Sequence, residues 1–329
     1  MSLAAIEARR AAAARTGAAG VAVPAGAQGP GPIAGGLVEA LDLVIARRAA
    51  GVLPGERRAA GLGAGTELAQ LRPYQVGDDV RRLDASASAR TGIPHVRDHV
   101  PERTLTTWIL LDVSASMAFG TAERLKSDVA GGVATVVARL AARRGGRVGL
   151  VTCGAPVQRM LPPRGGRRGL VALRRVIADG VAGDGHAPGD GELGAGMRRI
   201  GRLARGPGLV VVISDFRDTV PTHPAVSEPP PWSRELQALA ARHDVLAAEV
   251  VDAREGELPD AGMLVLADPE TGARVRADSS SAELRRRFAA AELARRDATA
   301  AALRRARARH VEVRTDGDWL RALGRGMMR

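Results

Sequence analysis

The stretch Trp108 to Gly120, WILLDVSASMAFG, decides the fold class and contains the best candidate for a functional site. Its apolar start predicts a strand that is buried on both faces, as in a parallel sheet. The strand ends at Asp112, and Ser114 and Ser116 follow at every second position. One carboxylate and two hydroxyls therefore lie where a strand is followed by a helix. In an α/β sheet, that edge is where ligands bind.

Strands and helices alternate regularly from Leu105 onward. The pattern predicts strands at 105–113, 147–153, 156–161, 208–215, 244–251 and 310–314, and helices at 121–144, 167–179, 192–204, 232–242, 281–309 and from Asp318. Residues 268–272, DPETG, predict a turn between two further short strands. This order predicts an α/β fold with a doubly wound, mostly parallel sheet and right-handed crossovers.

The residues before this sheet differ in composition. We expect residues 1–35, which are rich in Ala, Gly and Pro, to form a disordered tail. Residues 36–104 predict a smaller amino-terminal subdomain, with a helix at 36–50 followed by short strands and turns. The main domain is then expected to cover residues 105–329.

The charge of the chain leaves two interpretations open. The formal net charge is +12, and Lys126 is the only lysine, so arginine carries nearly all of the positive charge. Such an excess is typical of proteins that bind acidic partners or nucleic acids. It also arises in a genome whose base composition favours Arg, Ala and Gly codons. Aromatic residues make up only 2% of the chain, so the stacking platforms that bind single strands are scarce and nucleic acid is the less favoured partner.

Two classes of protein are excluded or disfavoured by simple counts. Cys153 is the only cysteine, which rules out an internal disulfide and a cysteine-based zinc site. No stretch approaches the roughly 20 apolar residues that span a bilayer. We therefore expect a cytoplasmic protein without a membrane span.

A second strand end carries an acid. The apolar run LVVVIS ends at Ser214, and Asp215 follows directly. If this strand neighbours the one that ends at Asp112, both carboxylates face one crevice together with Ser114 and Ser116. Oxygen donors of this kind suit a hard cation, Mg²⁺ first. The alternative for each acid is a helix N-cap, although three oxygen side chains at alternate positions exceed what a cap requires.

At these residues the chain resembles known families. DVSAS, at 112–116, resembles the first motif of the metal-ion-dependent adhesion site of von Willebrand factor A domains, and Asp215 matches the third motif. Residues 72–90, RPYQVGDDVRRLDASASAR, are similar to the signature of the bacterial domain-of-unknown-function family number fifty-eight. The same residues interleave Asp and Arg side chains, which predicts a partly buried ion network.

The resemblance implies a von Willebrand factor A-like, Rossmann-like fold and a set of metal ligands. Ser114 and Ser116 would bind Mg²⁺ or Mn²⁺ directly, whereas Asp112 and Asp215 would act mostly through bound waters. The second motif of the adhesion site usually supplies a Thr, and Gly191 stands in its place here. Asp190, Glu192 or a water are the candidates to replace this ligand.

The resemblance also implies a non-enzymatic interaction module. Such a protein would work beside a MoxR-type AAA+ ATPase to assemble or activate client proteins, with the metal bridging to a carboxylate of a partner. Two alternatives remain: a metal-dependent hydrolase at the same crevice, with Glu192 or Asp190 as its base, and an arginine-driven nucleic-acid binder.

Overall fold

The chain divides into two compact units in a computed structural model. The main unit contains Met1–Ile45 and Leu105–Arg329, and the small unit contains Ala46–Thr104. The structure describes residues 21–22, 26–39, 41, 67–100, 105–143, 145–185, 192–217 and 229–328.

A six-stranded sheet forms the centre of the main unit. The strands of the described residues are β1 (Val21–Ala22), β2 (Glu67–Pro73), β3 (His95–Val100), β4 (Thr106–Asp112), β5 (Arg147–Cys153), β6 (Met160–Gly165), β7 (Val181–Ala182), β8 (Leu209–Ser214), β9 (Asp244–Val251), β10 (Met263–Ala267), β11 (Arg274–Asp278) and β12 (Arg309–Arg314). The order in the central sheet is β12-β9-β8-β4-β5-β6. All neighbours in it are parallel except β6, which is antiparallel to β5. The predicted mostly parallel sheet is therefore confirmed, and β4 and β8 are neighbours.

Helices cover both faces of this sheet. The longer helices are α1 (Ala85–Thr91), α2 (Lys126–Arg143), α3 (Gly166–Ala178), α4 (Leu193–Leu203), α5 (Ser233–Ala240), α6 (Ala282–Arg305) and α7 (Trp319–Met328). One core joins the sheet to α2, α3 and α7, and a second core joins it to α4, α5 and α6. Along β4, Ile109 and Leu111 belong to the first core, and Trp108 and Leu110 belong to the second. Because both faces are covered, the strand is apolar at every position from Trp108 to Leu111.

The small unit contains an antiparallel pair, β2 and β3, with α1 between them in the chain. The predicted ion network is partly present within it. Arg72 forms a bidentate salt bridge with Asp78, in which both N–O distances are 2.7 Å. Asp84 caps α1 through the backbone N–H of Ala87 and accepts from Arg97 Nε at 2.6 Å. The pattern ASASART of α1 has no apolar periodicity, which is why this helix was not predicted.

Part of the predicted tail is packed within the main unit. The backbone N–H groups of Gln28 and Gly29 donate to Asp128 at 3.0 and 2.9 Å, and Trp319 Nε1 donates to the carbonyl of Pro30 at 2.9 Å. Residues 35–39 and 41 are helical, and Val38 belongs to the core. Residues 26–35 therefore differ from the disordered tail that composition suggested. The rest of the predicted tail, and the end of the helix at 36–50, lie outside the described residues.

Two elements of the main unit begin later than predicted. Helix α2 starts at Lys126 rather than at residue 121, because Thr121 donates its backbone N–H and its hydroxyl to Asp252 and is held out of a helix. Strand β6 starts at Met160 rather than at residue 156, since bends at 154–157 lengthen the hairpin turn. The helices of the described ranges are all too short or too polar to cross a membrane.

Two glycines of α4 offer a test of the packing between helix and sheet. A Cβ at Gly196 would lie 2.6 Å from Leu110 Cδ1 and 3.2 Å from Cys153 Cβ, whereas a Cβ at Gly201 would lie 3.6 Å from Leu239. We expect Gly196→Ala to lower the free energy of unfolding by about 1–3 kcal/mol through overpacking. Gly201→Ala should raise it by roughly 0.5–1 kcal/mol, because alanine is the better helix former. Urea denaturation measures the free energy of unfolding of both variants. Equal changes in the two would contradict the close packing of α4 on the sheet at Gly196.

Candidate functional site

Asp112 joins the end of β4 to the end of β8. Its Oδ1 accepts the backbone N–H of Ser114 at 2.9 Å, and its Oδ2 accepts the hydroxyl of Ser214 at 2.6 Å. Both carboxylate oxygens are thus used inside the protein, and the side chain is buried. Asp112 therefore fixes the turn that leaves β4 and holds it beside the neighbouring strand.

The turn after β4 needs a glycine next to it. Gly154 follows β5 and has a φ of +83°, in the left-handed region. A Cβ at this position would lie 2.5 Å from Ser114 Cβ and 2.7 Å from Asp112 Oδ1. Gly154 therefore gives the serine loop, defined as residues 113–120, the room to pass over the end of β5.

Three further oxygen side chains form a chain of short contacts across the crevice. The hydroxyls of Ser114 and Ser116 are 3.1 Å apart, and Ser116 Oγ donates to Asp215 Oδ2 at 2.9 Å. Asp215 Oδ1 accepts the backbone N–H of Arg217 at 3.1 Å. The structure thus brings together all four residues that the sequence analysis selected, because β4 and β8 are neighbours in the sheet.

The sequence analysis missed Lys126, whose side chain is fully buried at the site. Its ammonium donates to Asp215 Oδ2 at 2.6 Å and to Glu255 Oε1 at 2.5 Å. Burial alone would lower the pKa of Lys126, but the charges of Asp215 and Glu255 outweigh it and raise the pKa above its ordinary value. The ammonium is therefore a permanent positive charge in the core. The signal in the sequence was that this is the only lysine.

The positive charge of Lys126 lowers the pKa of Asp215, whereas the pKa of Asp112 is raised. Burial would raise the pKa of Asp215, but the charge and hydrogen bond of Lys126, with Arg217, bring it below the ordinary value. Burial raises the pKa of Asp112, and the nearby charge of Asp215 raises it further. Hydrogen bonds from Ser114 and Ser214 offset this only in part. No cationic side chain of the described residues contacts Asp112, so its charged form is the less favoured one unless a cation binds beside it.

Arg217 extends the ion network from the end of β8 to α6. Its guanidinium lies 3.3 Å from Glu255 and 2.7 Å from Glu292, and Arg295 contacts the same Glu292 at 2.9 Å. Burial would raise the pKa of Glu292, but the hydrogen bond from Arg295 and the charges of the arginines lower it. These charges pair with one another and so hold the elements around the site in place.

Asp252 anchors the far end of the serine loop. This fully buried carboxylate follows β9 and accepts the Thr121 N–H at 2.9 Å, the Thr121 hydroxyl at 2.5 Å and the Thr315 hydroxyl at 2.6 Å. Burial would raise the pKa of Asp252, but these hydrogen bonds lower it below the ordinary value. Asp112 and Asp252 together fix both ends of the loop that presents the two serines.

A second residue that the sequence analysis missed is Glu270. It lies in the predicted DPETG turn, which the structure places between β10 and β11. Its Oε1 accepts the backbone N–H of Ser116 at 2.9 Å, and its Oε2 is buried without a hydrogen-bond partner among the described residues. Burial raises the pKa of Glu270, and the charge of Asp215 adds to this. The acid at the turn was visible in the sequence, but nothing there indicated that the hairpin folds back onto the serine loop.

Gly191 stands at the position where the second motif of the adhesion site usually has a Thr, and it lies outside the described residues. Asp190 lies outside them as well, and Glu192 is an exposed residue at the start of α4. Of the acids considered as replacements, Glu192 has no side-chain hydrogen bond to the serine loop among the described residues. Glu270 is the acid that contacts this loop in addition to Asp112 and Asp215.

The oxygen set fits a hard divalent cation. The hydroxyls of Ser114 and Ser116 converge beside the buried carboxyl groups of Asp112 and Asp215, and a buried oxygen of Glu270 has no hydrogen-bond partner in the part of the chain that the structure describes. Both features are relieved by a cation that prefers oxygen ligands. Within the described ranges, no group of three or more His, Cys, Asp or Glu side chains is arranged to hold a metal. A cation here would therefore depend on the serine hydroxyls.

Comparisons with known proteins give a family match. The family model described as "Protein of unknown function DUF58" matches residues 70–298. The uncharacterized proteins Rv1480 of Mycobacterium tuberculosis and Mb1516 of Mycobacterium bovis are each 38% identical over 280 residues, which cover 85% of this chain and 84% of each relative.

Solved structures give more distant matches. BatB from Bacteroides thetaiotaomicron has a TM-score of 0.38 at 13% identity, over 68% of this chain and 97% of that one. A von Willebrand factor type A protein from Catenulispora acidiphila has a TM-score of 0.36 at 13% identity, over 68% of this chain and 41% of that one. At these TM-scores the fold class rests on the sheet order described above.

Removal of the buried ammonium of Lys126 should lower the stability of the main unit. We expect Lys126→Met to lower the free energy of unfolding by about 3–5 kcal/mol, because the buried carboxylates of Asp215 and Glu255 lose the ammonium that they share. Arg286→Met is the matched control, since Arg286 pairs with Glu283 on the exposed side of α6. The control should cost no more than about 1 kcal/mol. Denaturant titration compares the two, and similar losses would contradict the assigned role of Lys126.

Proposed function

We propose, from the premise that this chain belongs to the DUF58 family, that it is a non-enzymatic protein-interaction module with a metal-ion-dependent adhesion site. The observation that carries the proposal is the convergence of Ser114, Ser116 and Asp215 at one sheet edge, with their oxygens linked by contacts of 2.9 and 3.1 Å. A crevice at the carboxyl ends of neighbouring parallel strands is where α/β folds bind ligands.

The hydrogen bonds support a division of roles among the four residues. Asp112 and Asp215 each use both carboxylate oxygens inside the protein, so they suit positions behind the cation rather than direct contact with it. The hydroxyls of Ser114 and Ser116 are the oxygens left to bind Mg²⁺ or Mn²⁺ directly. When bound, the cation would supply a concentrated positive charge that accepts a carboxylate from another protein.

We assign the other side of this bridge to a protein partner with an exposed acid. The resemblance to the family implies a MoxR-type AAA+ ATPase that acts in the cytoplasm with this chain on client proteins. The net charge of +12 supports an acidic partner, since a basic surface speeds association with one. The ATPase would supply the work of assembly or activation, and this chain would supply recognition.

Metal binding should depend on the serine hydroxyls. In calorimetric titrations with Mg²⁺ and Mn²⁺, we expect wild-type protein to bind one cation, and Ser114→Ala or Ser116→Ala to bind it at least about tenfold more weakly. Ser127→Ala is the matched control, because Ser127 directly follows Lys126 in α2 and its buried hydroxyl has no hydrogen-bond partner among the described residues. Binding that is unchanged in the two site variants would refute the adhesion site.

Partner binding should require the same cation. We expect the purified MoxR-type ATPase of the same genome to bind the chain in Mg²⁺ and to lose this binding in excess EDTA. Asp112→Ala should have the same effect as EDTA, because it releases both the Ser114 N–H and the Ser214 hydroxyl. Sedimentation or surface plasmon resonance measures the complex. A complex that persists in EDTA would exclude a metal bridge between the two proteins but would still be consistent with a protein-interaction module.

A further inference from the structure

The hairpin of β10 and β11 carries an acid of this chain into the candidate site. Glu270 is separated by 154 residues from Ser116, whose backbone N–H it accepts at 2.9 Å. Ser116 is at the same time one of the two hydroxyl ligands in the proposed site. A carboxylate of this chain therefore contacts one of the two residues whose hydroxyls would hold the cation that the partner's acid is proposed to bind.

Hydrogen bonds within the turn at 268–272 hold the backbone at Glu270 in place. Asp268 accepts the backbone N–H of Glu270 at 3.0 Å and the hydroxyl of Thr271 at 2.6 Å. Gly272 closes the turn with a φ of +71° and donates its N–H to the carbonyl of Asp268 at 2.8 Å. These bonds fix the tip of the hairpin, so the acid is presented by a preformed turn.

The surroundings of Glu270 are those of a ligand rather than of a structural ion pair. The carboxylate of Glu270 accepts hydrogen bonds from Ser116, and no arginine of the described residues pairs with it, although the chain is rich in arginine. The nearby charge of Asp215 is of the same sign. Its second oxygen, Oε2, is buried without a hydrogen-bond partner among the described residues. A buried anionic oxygen of this kind is costly unless a donor or a cation satisfies it.

The hairpin is attached to the site mainly through its tip. Besides the bond from Ser116 to Glu270, the backbone N–H of Gly185 donates to the carbonyl of Pro269 at 2.9 Å. Side chains along the two strands are largely exposed, including Met263 and Val275 at 68% and 63%. An element with so little buried surface separates from the core at a low cost compared with the central sheet.

We propose that Glu270 is an internal carboxylate ligand of the cation at Ser114 and Ser116, and that a partner's acid binds by displacing it together with the hairpin tip. This inference rests on the cation of the proposed function. It makes the hairpin a competitor that sets how tightly an external carboxylate binds. The apparent affinity for the partner's carboxylate equals the intrinsic affinity multiplied by the fraction of molecules in which Glu270 has left the cation.

The test compares Mn²⁺-loaded wild-type protein with Glu270→Gln, using acetate as the carboxylate probe. The glutamine keeps an oxygen for the Ser116 N–H but loses the charge, so the fold is preserved. We expect the variant to bind Mn²⁺ about tenfold more weakly in calorimetry and to show a higher water proton relaxation rate. Acetate should suppress that relaxation at roughly tenfold lower concentration in the variant than in wild type. Glu283→Gln, an exposed acid of α6, is the control and should behave as wild type.

The outcomes separate this inference from the proposed function. Wild type and Glu270→Gln that bind Mn²⁺ and acetate equally would overturn the internal ligand and leave the adhesion site intact. Failure of both proteins to bind Mn²⁺ would overturn the cation and the internal ligand together. Weaker Mn²⁺ binding with unchanged acetate affinity would overturn the displacement, because an open position would then already exist in wild type.

Discussion

The buried ion pair between Lys126 and Asp215 is the interaction on which the rest of the site depends. Asp112 and Asp215 end neighbouring strands and are both nearly inaccessible to water, so their charges repel without much screening. The ammonium of Lys126, at 2.6 Å from Asp215, neutralises one of the two. It also fixes the first residue of α2 against the edge of the sheet. The two acids can therefore lie at neighbouring strand ends because the ammonium of a third side chain, from α2, neutralises the charge of one of them.

The same arrangement explains why the crevice is built from hydroxyls. A direct cluster of three carboxylates would bind a cation tightly but would be costly to bury in its absence. Here the acids orient the neutral groups: Asp112 holds the turn that contains Ser114, and Asp215 accepts the hydroxyl of Ser116. The fold is thus stable through its own hydrogen bonds, and the buried acids beside the two serine hydroxyls provide the attraction for a cation.

The sequence predicted the parts that depend on local pattern. Continuous apolar runs gave β4 and β8, and their final acids gave Asp112 and Asp215, since parallel strands end at one edge. Lys126 and Glu270 could not be predicted in this way. A lysine at a helix start is normally solvated, and its burial follows only from the packing of α2 over β8. Glu270 lies in a turn that the pattern did identify, but the direction in which a hairpin folds back is set by long-range contacts.

These contacts divide the site into a fixed half and a movable half. The fixed half is the serine loop, anchored by Asp112 at one end and by Asp252 at the other, each through buried hydrogen bonds from two or more elements. The movable half is the hairpin tip, whose strands bury little side-chain surface. Binding that exchanges one carboxylate for another needs both: rigid hydroxyls keep the position of the cation, and a weakly held acid can leave it. The distribution of burial in this fold therefore favours exchange of ligands over permanent closure.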